Sequence, residues 1–451
     1  MKVAFVPIDN RPVCYTLPKL IASIDGSVEF FMPERKVLGD LEKSADISEL
    51  FIWLMSLPKL DAIVLSLDTL AYGGLIPSRR CPETFEEIKT RVMTLKEILE
   101  EKQAKIYAFS SIMRISNNNI NQEEKEYWAQ WGKEIFKYSY NMHKAGSLEC
   151  LSKTIPSEIL DDYIETRRRN FEINKLYLQW QKEGLIDTLI FSKDDCAQYG
   201  FNVQEAQFLE KMGGFVKTGA DEIPISLLAR AIEKPLKICP IFCEEDYKHL
   251  ISNYEDISVE KSVKGQIELC GCEISDENSA DILLYVNNFI KNQGEIVMKQ
   301  DTTPFDKTFI PPQKPYMIAD VRFANGSDNN FVKEFMKTPI KFETFYGYGA
   351  WNTTANTLGS LICAAKMKYC AQNFDSNAFK NLQITRLLDD WAYQANVRQM
   401  LQNPDVDKLN DLMKNFTPQI ETFLDTKFSA EYSFPWNRLF EVEVNLNNCK
   451  Q

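Results

Sequence analysis

Ala62-Ile63-Val64-Leu65-Ser66-Leu67-Asp68-Thr69 is a nearly unbroken apolar run that stops on an acid and a hydroxyl. A run this short, rich in branched side chains, reads as a strand covered on both faces of a sheet. The pattern recurs on either side of it. Lys2 to Ile8, Val28 to Met32, Lys105 to Ser110, Thr188 to Phe191 and Phe215 to Lys217 have strand character, with helical stretches between them. After the quoted run, Phe85, Ile88, Val92, Leu95 and Leu99 recur every three or four residues, the period of a helix. Strand–helix–strand alternation needs crossover connections and therefore predicts parallel pairing. The expected N-terminal domain, residues 1–235, is an α/β body, either (β/α) barrel-like or doubly wound.

A helical section from about Gln122 to Gly184 interrupts the rhythm, with one break near Ser147 to Pro156. After Lys234-Pro235 the pattern changes, and Ser258 to Lys264 and Gln266 to Glu273 alternate as amphipathic strands would. Ile282 to Val286, Tyr316 to Ala319 and Phe342 to Phe345 then predict a second α/β domain over residues 236–370. Residues 371–451 read as a mainly helical segment, with Leu382, Leu387, Leu388 and Trp391 on a helical spacing and a final strand over Leu439 to Val444. No internal repeat is visible.

At 451 residues the chain exceeds one ordinary hydrophobic core, which agrees with this division. Its formal charge of −12 disfavours nucleic acid and anionic membrane surfaces as partners. The N-terminal apolar run meets Asp9-Asn10-Arg11 at once, so neither an export signal nor a membrane span is expected. Eleven cysteines, an odd number set mostly in apolar runs, read as reduced thiols of a cytoplasmic protein. Cys239, Cys243, Cys270 and Cys272 have zinc-like numbers but not zinc-like spacing, because Cys270-Gly271-Cys272 is too tight for the common knuckle. Packed thiols are the expectation there. Oligomeric state is not legible.

Ligands of parallel α/β sheets bind at the carboxyl ends of strands, and here those ends are polar. They carry Asp9, Asn10 and Arg11; Asp68, Tyr72 and Arg79; Arg114 and Asn117; Asp194, Asp195 and Tyr199; Asp221 and Glu222; Asp320; and Tyr348, Trp351 and Asn352. Any one such cluster is ordinary turn and cap chemistry. Adjacent acids straight after an apolar strand are not, since they repel unless a cation or a hydroxyl-rich ligand lies beside them.

Only two histidines occur, His143 and His249, both in polar helical stretches that read as surface. A histidine base or histidine metal ligand is therefore not expected. No glycine-rich phosphate loop of the familiar spacings follows a strand. Carboxylates, amides, arginines and aromatics remain, and that set suits a saccharide. Asp194 and Asp195 form one candidate catalytic group, Asp221 and Glu222 the other, as the acid and the base or nucleophile of glycoside hydrolysis. The same carboxylates suit Mg²⁺ beside a phosphate held by Arg11, Arg79 or Arg114. Arg167-Arg168-Arg169 reads as a solvated helix face, and Phe434-Pro435-Trp436-Asn437-Arg438 as packing or as a lid from the tail.

Four stretches carry a family resemblance: Pro7 to Pro12, Leu67 to Arg79, Gly219 to Glu222, and Gly349 to Gly359. Together they resemble a bacterial family catalogued as domain of unknown function 4127. The resemblance implies one architecture over nearly the whole chain and brings no activity with it. The expectation is thus a cytoplasmic α/β glycoside hydrolase without a cofactor, acting on a small saccharide. The alternatives are a Mg-dependent enzyme on a phosphorylated metabolite and a non-catalytic sugar-binding protein.

Overall fold

A computed structural model describes residues 1–145, 154–193 and 197–447. By compactness the chain divides into one unit of residues 1–10 and 29–224 and another of residues 11–28 and 225–451.

The first unit is built on strands β1 (Lys2–Val6), β2 (Glu29–Phe31), β3 (Ala62–Ser66), β4 (Lys105–Ile112), β5 (Thr188–Lys193) and β6 (Phe215–Thr218). All neighbours are parallel, in the order β2-β1-β3-β4-β5-β6. The sheet has two free ends in this order, so the doubly wound alternative holds and not the barrel. Every residue of β3 is buried, as its apolar run requires. Helix Phe85–Lys102 starts at a capping box, in which Thr84 and Glu87 satisfy each other's backbone N–H, and it buries Ile88, Val92, Leu95, Ile98 and Leu99 along one face. Each such side chain contributes about 1.5–3 kcal/mol of burial.

The second unit carries β7 (Lys237–Phe242), β8 (Glu273–Ile274), β9 (Ile282–Asn287), β10 (Gly294–Glu295), β11 (Tyr316–Asp320), β12 (Phe323–Ala324), β13 (Phe345–Gly349), β14 (Ser429–Ser433) and β15 (Glu443–Asn447). Its main sheet is also parallel, in the order β13-β11-β9-β7-β8. The short pairs β10–β12 and β14–β15 complete the strands, the first parallel and the second antiparallel.

Two local expectations are corrected. Ser258 to Glu273 is not a pair of amphipathic strands but mainly the helix Val259–Leu269, capped by the Ser258 side chain on Lys261 N–H. Val259, Val263 and Ile267 are buried four residues apart, a helical period that looks like alternation over so short a stretch. Strand β13 begins at Phe345, where the expected strand over Phe342 to Phe345 ends, and takes in Gly347 and Gly349. The tail is helical over Ser376–Arg386, Val406–Met413 and Thr417–Leu424, and residues Leu387–Asn396 wind as a π-helix. Among the described residues no helix is long and apolar enough to cross a membrane.

Candidate functional site

At the carboxyl ends of β7, β9 and β11 the second unit packs polar groups against one another. Arg322 is fully buried, 2.8 Å from Glu244 and 3.4 Å from Asp328. Burial alone would raise the Glu244 carboxyl, but hydrogen bonds from Lys307 and Arg322 bring it below the usual range. Asp320 accepts from Asn287 Nδ2 and from Asp328 N–H, both at 2.8 Å, and from the Tyr348 hydroxyl at 3.0 Å. Burial, helped by the charge of Asp328, pushes the Asp320 carboxyl up to about 7. Between β7 and β9 the strand ends are closed by the protein itself: Asn288 Oδ1 accepts from Glu244 N–H and its Nδ2 donates to Glu244 O, each at 2.9 Å.

Open space lies instead beyond β13. A recess there is lined by Val13, Thr16, Leu17 and Leu20 on one side and by Trp351, Arg386, Asp389, Glu441 and Glu443 on the other. The recess proper is about 20 Å³, room for one water-sized group, and it opens directly to solvent. Asp389 and Asp390 lie in the π-helix, an element that often marks functional sites. Arg386 Nη2 is 2.5 Å from Asp389 Oδ2 and 3.0 Å from Asp390 Oδ1. Burial nevertheless raises both carboxyls, that of Asp390 to about 7, and the neighbouring Glu443 adds to the rise at Asp389. The Thr16 hydroxyl donates to Glu443 at 2.7 Å, and Arg11 pairs with Glu441 at 3.4 Å.

The tail borders this place. Trp436 has the Arg11 guanidinium 5.2 Å from its ring centre and that of Arg438 at 4.7 Å. Phe440 lies 6.2 Å from Trp351, ring to ring. Tyr393 and Gln394 of the π-helix donate to the carbonyls of Leu439 and Phe440, at 2.6 and 3.0 Å. Trp436 and Asn437 both have left-handed backbones, φ 55° and 50°. Holding two consecutive non-glycine residues there costs on the order of 1–3 kcal/mol each, which the surrounding contacts offset.

In the first unit the switch point is between β1 and β3. The Thr69 hydroxyl reaches the carbonyls of Pro7 and Ile8 at 2.8 Å, stapling the two strand ends. Asp68, buried beside them, accepts from Ser111 N–H at 2.8 Å, and burial pushes its carboxyl up to about 7 against the pull of Arg79. Arg79 is 3.4 Å from Glu124, and Arg114 is 3.0 Å from both Glu123 and Glu124. Sequence reasoning thus placed Asp68, Arg79 and Arg114 in one neighbourhood but missed the two glutamates, which sit in what reads as the start of a helix.

A family model described as "Protein of unknown function (DUF4127)" matches residues 3–445. The chain belongs to that family. No curated protein and no solved structure matches it.

The remaining candidate residues of this DUF4127 chain are dispersed. Asp9 is buried after β1, and the Asn10 carbonyl accepts from Arg35 Nε at 2.8 Å. Tyr72 is buried under the Arg169 guanidinium, 5.3 Å from its ring. Asn117 is exposed. Tyr199 packs edge-on against His143 and Tyr140. His143 is not a plain surface residue, since its Nδ1 accepts from Gly200 N–H at 3.1 Å; His249 is exposed. Glu222 is buried and folds back over Gly219, while Asp221 is half-buried. Asp194 and Asp195 lie outside the described residues. Asn352 has φ 59°, and its carbonyl accepts from Asn325 N–H at 2.8 Å.

The solvated-face reading of Arg167-Arg168-Arg169 is corrected. Only Arg168 is exposed, paired with Glu165. Arg167 is buried against Glu205 at 2.7 Å, and Arg169 donates to the carbonyls of Ser78, Cys81 and Glu83. Burial raises the thiols of Cys239, Cys243, Cys270 and Cys272, the last to about 11. Among the described residues no three His, Cys, Asp or Glu side chains converge as a metal site would require.

Proposed function

We propose that this chain is a carbohydrate-active enzyme, a glycoside hydrolase whose carboxylates work in the recess beyond β13. One observation carries the reading: Asp389, a buried carboxyl with its proton affinity raised, opens on a recess that also holds Glu441, Glu443 and the ring of Trp351. A raised carboxyl is what a general acid needs, and a second carboxylate beside it supplies the base or nucleophile. Asp389 is assigned the proton given to the departing glycosidic oxygen. Glu441, ion-paired with Arg11, is assigned the attack side, taking the proton of the incoming water. Trp351 offers an apolar face for a sugar ring. Only about 20 Å³ of the recess is enclosed, so the sugar ring is assigned to its mouth, with one water-sized group able to enter beneath it.

Asp221 and Glu222, with Asp194 and Asp195, are the alternative catalytic set. The first test is a panel of aryl glycosides of varied sugar and anomeric configuration. Turnover of at least one supports the reading, and silence across the panel counts heavily against it.

A further inference from the structure

The recess proper takes one water-sized group, and the side chains around it are those of Asp389, Glu441, Glu443 and Thr16. Val13, Leu17 and Leu20 form its carbon wall. Glu441 pairs with Arg11, and Glu443 accepts from the Thr16 hydroxyl at 2.7 Å. An ionised carboxyl offers about four acceptor sites, so it holds a water as well as such partners. Room of this size bears on the course of the reaction. In retaining glycoside hydrolysis the nucleophilic carboxylate meets the sugar carbon directly, whereas in inverting hydrolysis a water stands between the two.

We propose that the recess seats the attacking water and nothing larger, so that hydrolysis inverts the anomeric centre and alcohols do not take the place of water. This rests on the carbohydrate reading above and adds its stereochemical course and its acceptor. The bond from the anomeric carbon to the departing oxygen breaks as Asp389 gives that oxygen its proton. The water oxygen forms the new bond on the side away from the departing oxygen, and Glu441 takes the proton that the water sheds. Glu443 accepts from the water's other O–H. Each turnover leaves Asp389 ionised and Glu441 protonated, and proton exchange with solvent at the open mouth restores both.

The test follows the full chain by proton NMR on an aryl glycoside that it turns over, in buffer alone and with methanol added. The first sugar to appear has the anomeric configuration opposite to that of the substrate, and no methyl glycoside forms. In Val13→Ala, which trims the carbon wall, a methyl glycoside of inverted configuration appears beside the free sugar. Retained configuration, or methyl glycoside from the wild-type chain, overturns the inference and leaves the carbohydrate reading standing. Inversion by the wild type with no methyl glycoside from folded Val13→Ala overturns this recess as the seat of the water. Turnover of no glycoside overturns both the reading and the inference. The wild-type products decide the stereochemical course even if the variant does not fold.

Discussion

Asp390 accepts a hydrogen bond from the backbone N–H of Ala350 at 2.7 Å, which fastens the π-helix to the residue following β13. The same side chain presents its other oxygen to Arg386 at 3.0 Å. The position of Asp389, one residue earlier, therefore depends on both the strand end and the guanidinium.

Removing that guanidinium leaves two buried carboxyls without their counter-charge. Arg386→Met is expected to destabilise the fold by about 3–5 kcal/mol, read as a lowered urea midpoint at unchanged slope. Adding Asp390→Asn to it recovers part of the loss. A loss below about 1 kcal/mol would mean that the pairs behave as surface ion pairs.

Asp68 gives a pH dependence of definite sign. Its carboxyl titrates at about 7 in the fold, against 3.8 for an aspartate in an unstructured chain. The folded chain thus holds a proton between those values that the unfolded chain releases, so the stabilisation is complete below the lower value and is lost as pH rises through the upper one. Asp68→Asn cannot ionise and keeps an acceptor for Ser111 N–H. The variant should gain stability relative to wild type from about pH 5 to pH 8, by on the order of 2–4 kcal/mol. A difference in melting temperature that stays flat over this range contradicts the assignment.

Gly219 tests the role of Glu222. A Cβ at this position would lie 1.9 Å from Glu222 Oε1, and the backbone has φ +110°. Gly219→Ala is expected to cost on the order of 1–3 kcal/mol of stability and to displace the glutamate. If turnover in the folded variant matches wild type, Glu222 takes no part in the chemistry.

The quoted run from Ala62 and its neighbours made the parallel α/β architecture legible, because strands covered on both faces must be apolar throughout. Trp351, chosen only for lying near a strand end, lines the recess, and Arg11 pairs with one of its glutamates, Glu441. Asp389 and Asp390 went unread since Leu387, Leu388 and Trp391 around them fit a plain amphipathic helix. Nothing in that spacing announces a π-helix, although two adjacent acids inside an apolar run are the signal that was there. Glu441 and Glu443 fall in or beside the run Leu439 to Val444, expected only as a final strand; they line the recess, and Tyr393 and Gln394 hold the backbone just before them to the π-helix. The stretch Phe434 to Arg438 left packing and lid both open, and Trp436 is held between two guanidiniums.

The central claim is that the recess carboxylates, with Asp389 as the acid, perform the chemistry. It is tested most directly by measuring kcat on a turned-over aryl glycoside for Asp389→Asn and Asp221→Asn side by side, each checked for an unchanged fold. A fall of about 10²–10⁴ is predicted for Asp389→Asn, with a rate near wild type for Asp221→Asn. Full activity in Asp389→Asn with loss in Asp221→Asn would contradict the claim and move the catalytic centre to the end of β6.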